Sequence, residues 1–283
     1  MKPREIIETA NEISLNKKYT DYICELIGKD LNLITQLENI EDAIKEKLFK
    51  NTKSYNDFIK VHFPQDLHMT LNLYFALVFA RECKGRYISK DIDHDIYKDT
   101  LNDISIWADT YHMQTGKIGL KEIHWIRKHI FFKIFKLGRL QFEMTDLEKD
   151  VKSFTKNSEC LNIHIPEGEP LEPLKCQQSL KVAKSFFIKH FNKNYQVAVC
   201  HSWLLHENLK VILDQNANIV KFAQLFEIVE NTNDCSQALE RVFGTGTKIS
   251  ANMPERTSLQ RKMKRFLLDG NVVGMGYGII NLS

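Results

Sequence analysis

Glycine and proline are scarce in this chain, 12 and 6 residues among 283, and no stretch repeats or runs into low complexity. That scarcity excludes a collagen-like or proline-rich disordered chain and leaves a globular protein with buried cores. Cysteine is sparse too. Cys24, Cys83, Cys160, Cys176, Cys200 and Cys235 are scattered with no CxxC pair, so neither a zinc knuckle nor a disulfide framework is indicated, and buried free thiols are expected. No apolar stretch approaches the roughly 18 uncharged residues of a membrane span, and the opening MKPREIIETANEIS lacks the apolar centre of a signal peptide. A cytoplasmic location without a membrane partner is expected. Excess charge is also lacking: 39 basic residues against 36 acidic ones leave +3, too even a balance for nucleic acid to be the main partner.

Several motifs begin and are not completed. DIDHD (Asp91 to Asp95) spaces its carboxylates as a calcium loop does, but Ile96 stands where the turn glycine is needed and Asn102 where the bidentate glutamate is needed. A negatively charged first helical turn is expected there instead. GTGTK (Gly244 to Lys248) lacks the glycine and Gly-Lys pair of a phosphate loop, and GMGYG has too little chain after it for a dinucleotide-binding unit; turns are expected at both. His124 and His129, like His201 and His206, are five apart, whereas two ligands on one helical face need three or four. With no HExxH, no metal is expected.

What is present divides the chain in two, as a length beyond the usual 100 to 200 residues of a single domain suggests. The first half is written in helix. Ile6, Ile7, Ala10 and Ile13 open it, and from Tyr22 to Leu48 apolar residues recur at spacings of three and four along one face. Asp66 is read as the N-cap of LHMTLNLYFALVFAREC, apolar on nearly every face and closed by Gly85. A further helix follows Ser89, and LKEIHWIRKHIFFKIFKLG is read as a last one ending on Gly138. The period then changes. LQFEM and CLNIHI form an expected antiparallel hairpin, residues 174 to 191 a helix, QVAVC a buried strand, Trp203 to Leu213 a helix, FAQLFEIV a strand, SQALERVFG and SLQRKMKRFLL helices, and GYGIINL a final strand. The expectation is an all-helical domain over 1–130 followed by a mixed-sheet α/β domain over 131–283.

Basic residues gather at Arg127, Lys128, Lys133, Lys136 and Arg139, and again at Arg261, Lys262, Lys264 and Arg265, as solvated helix faces or partners for ligand phosphates. Polar residues with chemistry gather where strands end: Glu143 in LQFE, His164 in LNIHIP, and Cys200, His201, Ser202 and Trp203 after QVAV. Ligands of open α/β sheets bind at carboxyl ends of strands. Each residue also has a structural reading: Glu143 paired with Arg139, His164 as a satisfied edge histidine, Ser202 as an N-cap.

FKLGRLQFE, HIPEGEPL, CHSWLL, ALERVFG and TSLQ, in that order, resemble a bacterial acyltransferase family with a helical N-acyltransferase N-terminal domain and a GNAT-like C-terminal domain. The resemblance runs from about Phe63 to the C-terminus. It implies the GNAT superfamily fold, in which two parallel strands splay and the acyl thioester enters between them; by position those strands are CLNIHIP and QVAVCHSW.

The activity so implied is transfer of an acyl group from a thioester donor, acyl-CoA or acetyl-CoA as co-substrate, to a small-molecule or peptide amine. Glu143, His164 and His201 are the candidates for removing the amine proton, and Ser202 for protonating the thiolate. Ile165, Pro166, Gly168, Gln178, Ser179 and Trp203 are the expected donor contacts. One departure stands out: PEGEPLEPLK has Gly168 alone among Glu167, Glu169 and Glu172, which would repel a diphosphate unless turned away. A carrier-protein thioester is therefore the alternative donor, and a catalytically silent ligand- or protein-binding module the alternative function.

Overall fold

Helices form in the first half wherever the three- and four-residue spacing persists: α1 (Pro3–Glu12), α2 (Lys17–Lys29), α3 (Leu31–Lys50), α4 (Thr52–His62), α5 (His68–Ser89), α6 (His94–Leu101), α7 (Asp103–Thr115) and α8 (Ile123–Ile130). The computed structural model describes every residue except Asp30 and Ser283, and of Leu31 the backbone only. The apolar face expected from Tyr22 to Leu48 crosses Asp30, which lies outside the described residues; α2 and α3 carry it on either side. The chain divides into two compact units, Met1–Lys136 and Leu137–Ser283.

At the centre of the first unit α5 is buried on all sides, with every residue from Thr70 to Ala80 out of solvent. Its one buried amide is satisfied: Asn72 accepts from the Tyr55 hydroxyl at 2.6 Å and donates to the Leu120 carbonyl at 2.9 Å. Two expected ends of this helix are corrected. Asp66 lies in a 3₁₀ turn, Gln65–Leu67, ahead of the helix rather than capping it, and the helix passes through Gly85 to Ser89 because nothing there needs a left-handed residue.

The last helix of that unit is also shorter than expected. It stops at Ile130 because Phe132 takes the left-handed conformation (φ 65°) usually left to glycine, and Lys133 N–H closes back on the Lys128 carbonyl at 2.9 Å. The following residues, Ile134–Leu137, are strand β1. Gly138 (φ 73°) therefore serves the turn into β2 (Leu140–Asp146), not a helix cap.

In the second unit the elements run β2, β3 (Glu159–His164), α9 (Pro173–Phe191), β4 (Val197–Ser202), α10 (Leu209–Ile212), α11 (Asn218–Ala223), β5 (Glu227–Asn231), α12 (Ser236–Phe243), α13 (Ser258–Leu268) and β6 (Gly276–Asn281). The expected helix Trp203 to Leu213 is broken into a 3₁₀ turn, Trp203–Leu205, and the short α10, with His206 extended between them. FAQLFEIV likewise divides, its first half ending α11 and its strand starting only at Glu227. The sheet order is β1-β2-β3-β4-β6-β5. β3 and β4 are parallel, joined by the α9 crossover, while β2–β3, β4–β6 and β5–β6 are antiparallel, so the fold is a mixed sheet flanked by helices and preceded by the helices α1 to α8. Among the described residues no helix is long and apolar enough to cross a membrane.

Candidate active site

The parallel pair β3–β4 carries the site because its pairing stops early. Register joins Leu161 to Ala198 and Asn162 to Val199 and goes no further, although both strands continue, to His164 and Ser202. Beyond that point each strand stays paired only on its outer side, Ile163 and His164 with β2, Cys200 to Ser202 with β6. The sheet opens there into a gap between two half-sheets.

Which backbone groups face the gap follows from the ladders. Leu147 N–H donates to the Ser158 carbonyl at 2.9 Å, so along β3 the even-numbered residues turn their backbone to β2, while Leu161, Ile163 and then Ile165 turn theirs to β4. Leu282 N–H donates to the Gln196 carbonyl at 2.8 Å, so along β4 the residues Val197, Val199 and His201 face β3. The two phases agree. The next rung would be His201 N–H to Ile163 C=O, and the register ends before it. His201 N–H and C=O, Ile163 C=O and Ile165 N–H therefore open onto the gap.

Side chains follow the same alternation. Gln141, Glu143, Asn162, His164, Val199, His201 and Tyr277 lie on one face of the sheet, and Phe142, Ile163, Cys200, Ser202, Gly276 and Gly278 on the other. On the first face Glu143 and His164 meet, Nε2 to Oε2 at 2.9 Å, with the carboxylate buried and the imidazole partly exposed. They come from diagonal positions, since Gln141 is directly opposite His164. His201 stands on that face across the gap, exposed, its ring edge-on to Tyr277 with centroids 6.0 Å apart. Burial pushes the Tyr277 phenol up to about 12, so it stays protonated near neutrality.

Ser202 is not brought to these residues. It lies on the opposite face, buried, and its hydroxyl accepts from Leu204 N–H at 3.2 Å as the N-cap of the 3₁₀ turn. Trp203 is packed in the core formed with α10, α12 and α13. Cys200 is fully buried and its thiol is pushed up to about 12 by desolvation, which makes it inert.

The loop after β3 holds Ile165 and Pro166, half-buried, and Gly168 in a left-handed conformation (φ 94°). Arg139, itself buried, holds this loop by donating to the carbonyls of Glu169 (2.6 Å) and Pro170 (3.0 Å). Its pairing with Glu143 is thus corrected. Of the basic residues expected to cluster with it, Arg127 donates to the Leu48 and Phe49 carbonyls. The expected repulsion of a diphosphate is reduced: Glu167 is ion-paired with Arg241 of α12, and Glu172 with Lys175 at 3.0 Å. Gln178 is exposed on the first turns of α9. Ser179 is corrected from ligand contact to turn support, because its hydroxyl accepts from Arg139 N–H (2.7 Å) and Leu140 N–H (3.3 Å) and donates to the Lys175 carbonyl (3.0 Å). Arg241 and Tyr277 carry no role read from the sequence, although both stand in motifs singled out there, and their partners appear only in three dimensions.

Comparison with known proteins adds two kinds of likeness. The family described as GNAT-like C-terminal domain matches residues 134–280 and the N-acyltransferase N-terminal domain matches residues 19–131. No curated protein matches the chain. Among solved structures, an acyltransferase in complex with decanoyl-CoA and teicoplanin is 21% identical with a TM-score of 0.79, covering 100% of this chain and 89% of that one. A mutant acyltransferase in complex with octanoyl-CoA is 22% identical at the same TM-score, 0.79, and the same coverage, 100% and 89%. An acyltransferase in complex with decanoyl-CoA is 25% identical over 75% of this chain and 66% of that one, with a TM-score of 0.66.

Proposed function

The chain belongs to the family that joins an N-acyltransferase N-terminal domain to a GNAT-like C-terminal domain, and from that membership we propose that it moves an acyl group from acyl-CoA to an amine in the gap between β3 and β4. The observation that carries this reading is the end of β3–β4 pairing at Asn162 and Val199. A thioester lying in the gap meets backbone groups in need of partners. His201 N–H polarises its carbonyl and holds the oxyanion, while Ile163 C=O and Ile165 N–H take the pantetheine amides.

Glu143 and His164 supply the base. With Nε2–H donated to Glu143, the imidazole lone pair sits on Nδ1 and takes a proton from the acceptor ammonium, and the carboxylate stabilises the imidazolium that results. The neutral amine forms the C–N bond, the nitrogen of the tetrahedral adduct gives up its remaining extra proton to solvent, the C–S bond breaks, and the thiolate of CoA takes the proton held by His164. The first turn of α9, where Pro173 has no N–H, Cys176 N–H is taken by the Glu172 carbonyl, and the Leu174 and Lys175 N–H groups have no intrahelical acceptor, is the place for the diphosphate, beside Gln178 and Gly168. His201 is the second candidate base, working from the other side of the gap.

The neighbours' ligands, octanoyl-CoA, decanoyl-CoA and teicoplanin, support a medium acyl chain and a small-molecule or peptide acceptor. The test is thiol release with acyl-CoAs of graded length against a panel of amines and amino-bearing peptides. Turnover dependent on both partners is expected. Binding of acyl-CoA with no transfer to any amine would leave a ligand-binding module instead.

A further inference from the structure

The whole chain carries +3, yet α13 alone contains Arg261, Lys262, Lys264 and Arg265 with no acid from Ser258 to Leu268. Like charges one turn apart repel, so such a helix is stabilised by whatever anion sits among them. Lys264 finds one within the chain: it pairs with Glu255 at 2.6 Å and donates to the Met253 carbonyl. Arg261 spends Nη1 on the backbone carbonyls of Glu255 and Arg256. Lys262 and Arg265 are exposed and hydrogen-bond no carboxylate among the described residues, although Arg265 lies near enough to Glu255 to help hold that carboxyl low.

These cations border a hollow of about 410 Å³ between α10 and α13. Its wall is apolar, made by Val211, Ile212 and Phe266, and Val211 is left 73% exposed beside three cations. Asp269, the residue that ends the helix, also lines the hollow, one turn from Arg265 and about 12 Å along the axis from Arg261. The hollow is therefore cationic from Arg261 to Arg265 and apolar along one wall, with a single carboxylate, Asp269, one turn beyond Arg265.

We propose that this hollow binds a nucleoside phosphate. Its phosphates lie on Arg261, Lys262 and Arg265, its base covers Val211 and Phe266, and a ribose hydroxyl or exocyclic amine donates to Asp269. The same chemistry has two sources, the nucleotide end of the acyl-CoA donor or a separate nucleotide. Only the first rests on the acyltransfer reading above.

The experiment titrates adenosine 3′,5′-bisphosphate and inorganic phosphate by calorimetry at low salt, into the full chain and into K262Q/R265Q. Both positions are exposed, and a melting curve checks that the variant folds. Binding to the unaltered protein, weakened about tenfold or more in K262Q/R265Q and unchanged in H164A, is expected. Phosphate alone binds more weakly and competes. Absence of bisphosphate binding, or equal binding by K262Q/R265Q, overturns the proposal. A second variant, V211D, tests the apolar wall and is expected to weaken bisphosphate more than inorganic phosphate; an equal effect on both removes the base from the site.

Kinetics separate the sources. A raised KM for acyl-CoA in K262Q/R265Q with unchanged turnover of the matching acyl-pantetheine assigns the hollow to the donor. An unchanged KM for acyl-CoA assigns it to a separate nucleotide. If no acyl-CoA is ever turned over but bisphosphate binding still depends on Lys262 and Arg265, the acyltransfer reading fails and the nucleotide site stands.

Discussion

A carboxylate only 7% exposed needs a partner, and for Glu143 that partner is the His164 imidazole. If the two act as one base, removing either removes the same function. E143Q and H164A are each expected to lower kcat by roughly 10²-fold or more while leaving KM for acyl-CoA nearly unchanged, and the double variant to be no worse than H164A. Steady-state kinetics on the three proteins check this; additive losses in the double variant would separate the two residues. Glu143 is the positioning member, so E143Q should also move the acidic limb of the kcat–pH profile, which a purely structural role would not do. Cys200 predicts the opposite outcome. Its buried thiol, held near 12, forms no acyl-enzyme, so C200A is expected to keep full transfer activity, and mass spectrometry of the protein mixed with acyl-CoA alone should show no acyl adduct there.

At the scale of elements, the gap stays where it is because the 3₁₀ turn after β4 can lie directly on β6. Gly276 permits this: a Cβ built there would come within 2.5–2.9 Å of the Leu205 and His206 backbone. G276A is therefore expected to cost about 1–3 kcal/mol by forcing the turn away from the sheet, and, because that turn follows His201 and Ser202 directly, to raise KM for acyl-CoA as well. Chemical denaturation and kinetics on one variant read both effects. The role of this glycine was not legible in GMGYG, where only turn chemistry was visible. Elsewhere legibility followed periodicity. The hairpin of β2 and β3, the buried β4 and the amphipathic α13 could be read from spacing alone, because each has one period throughout. β1 could not, because the helix ahead of it ends on Phe132 in a conformation that sequence assigns to glycine. FAQLF was misread because an apolar run of that length fits a helix end as well as a strand. Polarity at strand ends pointed to Glu143, His164 and His201, but which of them touch depends on register, and register places Gln141, not Glu143, opposite His164.

At the scale of the molecule, stability integrates every group whose protonation differs between folded and unfolded chain. His206 is one such group in the second unit. It is extended between the 3₁₀ turn and α10, 4% exposed, and accepts from Asn208 N–H at Nδ1 (3.3 Å). Desolvation lowers its pKa below the ordinary 6.5, and this outweighs Glu207 and the backbone bond to Thr232, which raise it. The sign is then fixed. Above the unfolded value neither state binds the proton and the neutral imidazole serves the fold in full. As pH falls through 6.5 toward the depressed folded value, the unfolded chain binds more protons than the folded one, and stability is lost over that interval. Melting temperature is therefore expected to fall between pH 7.5 and pH 5. H206N retains a hydrogen-bonding amide that does not titrate, so it is expected to start less stable at pH 7.5 and to lose less on acidification. The comparison of slopes, rather than of absolute melting temperatures, is decisive: parallel slopes for the two proteins would move the acid sensitivity away from His206 and onto the carboxylates that pair across the surface.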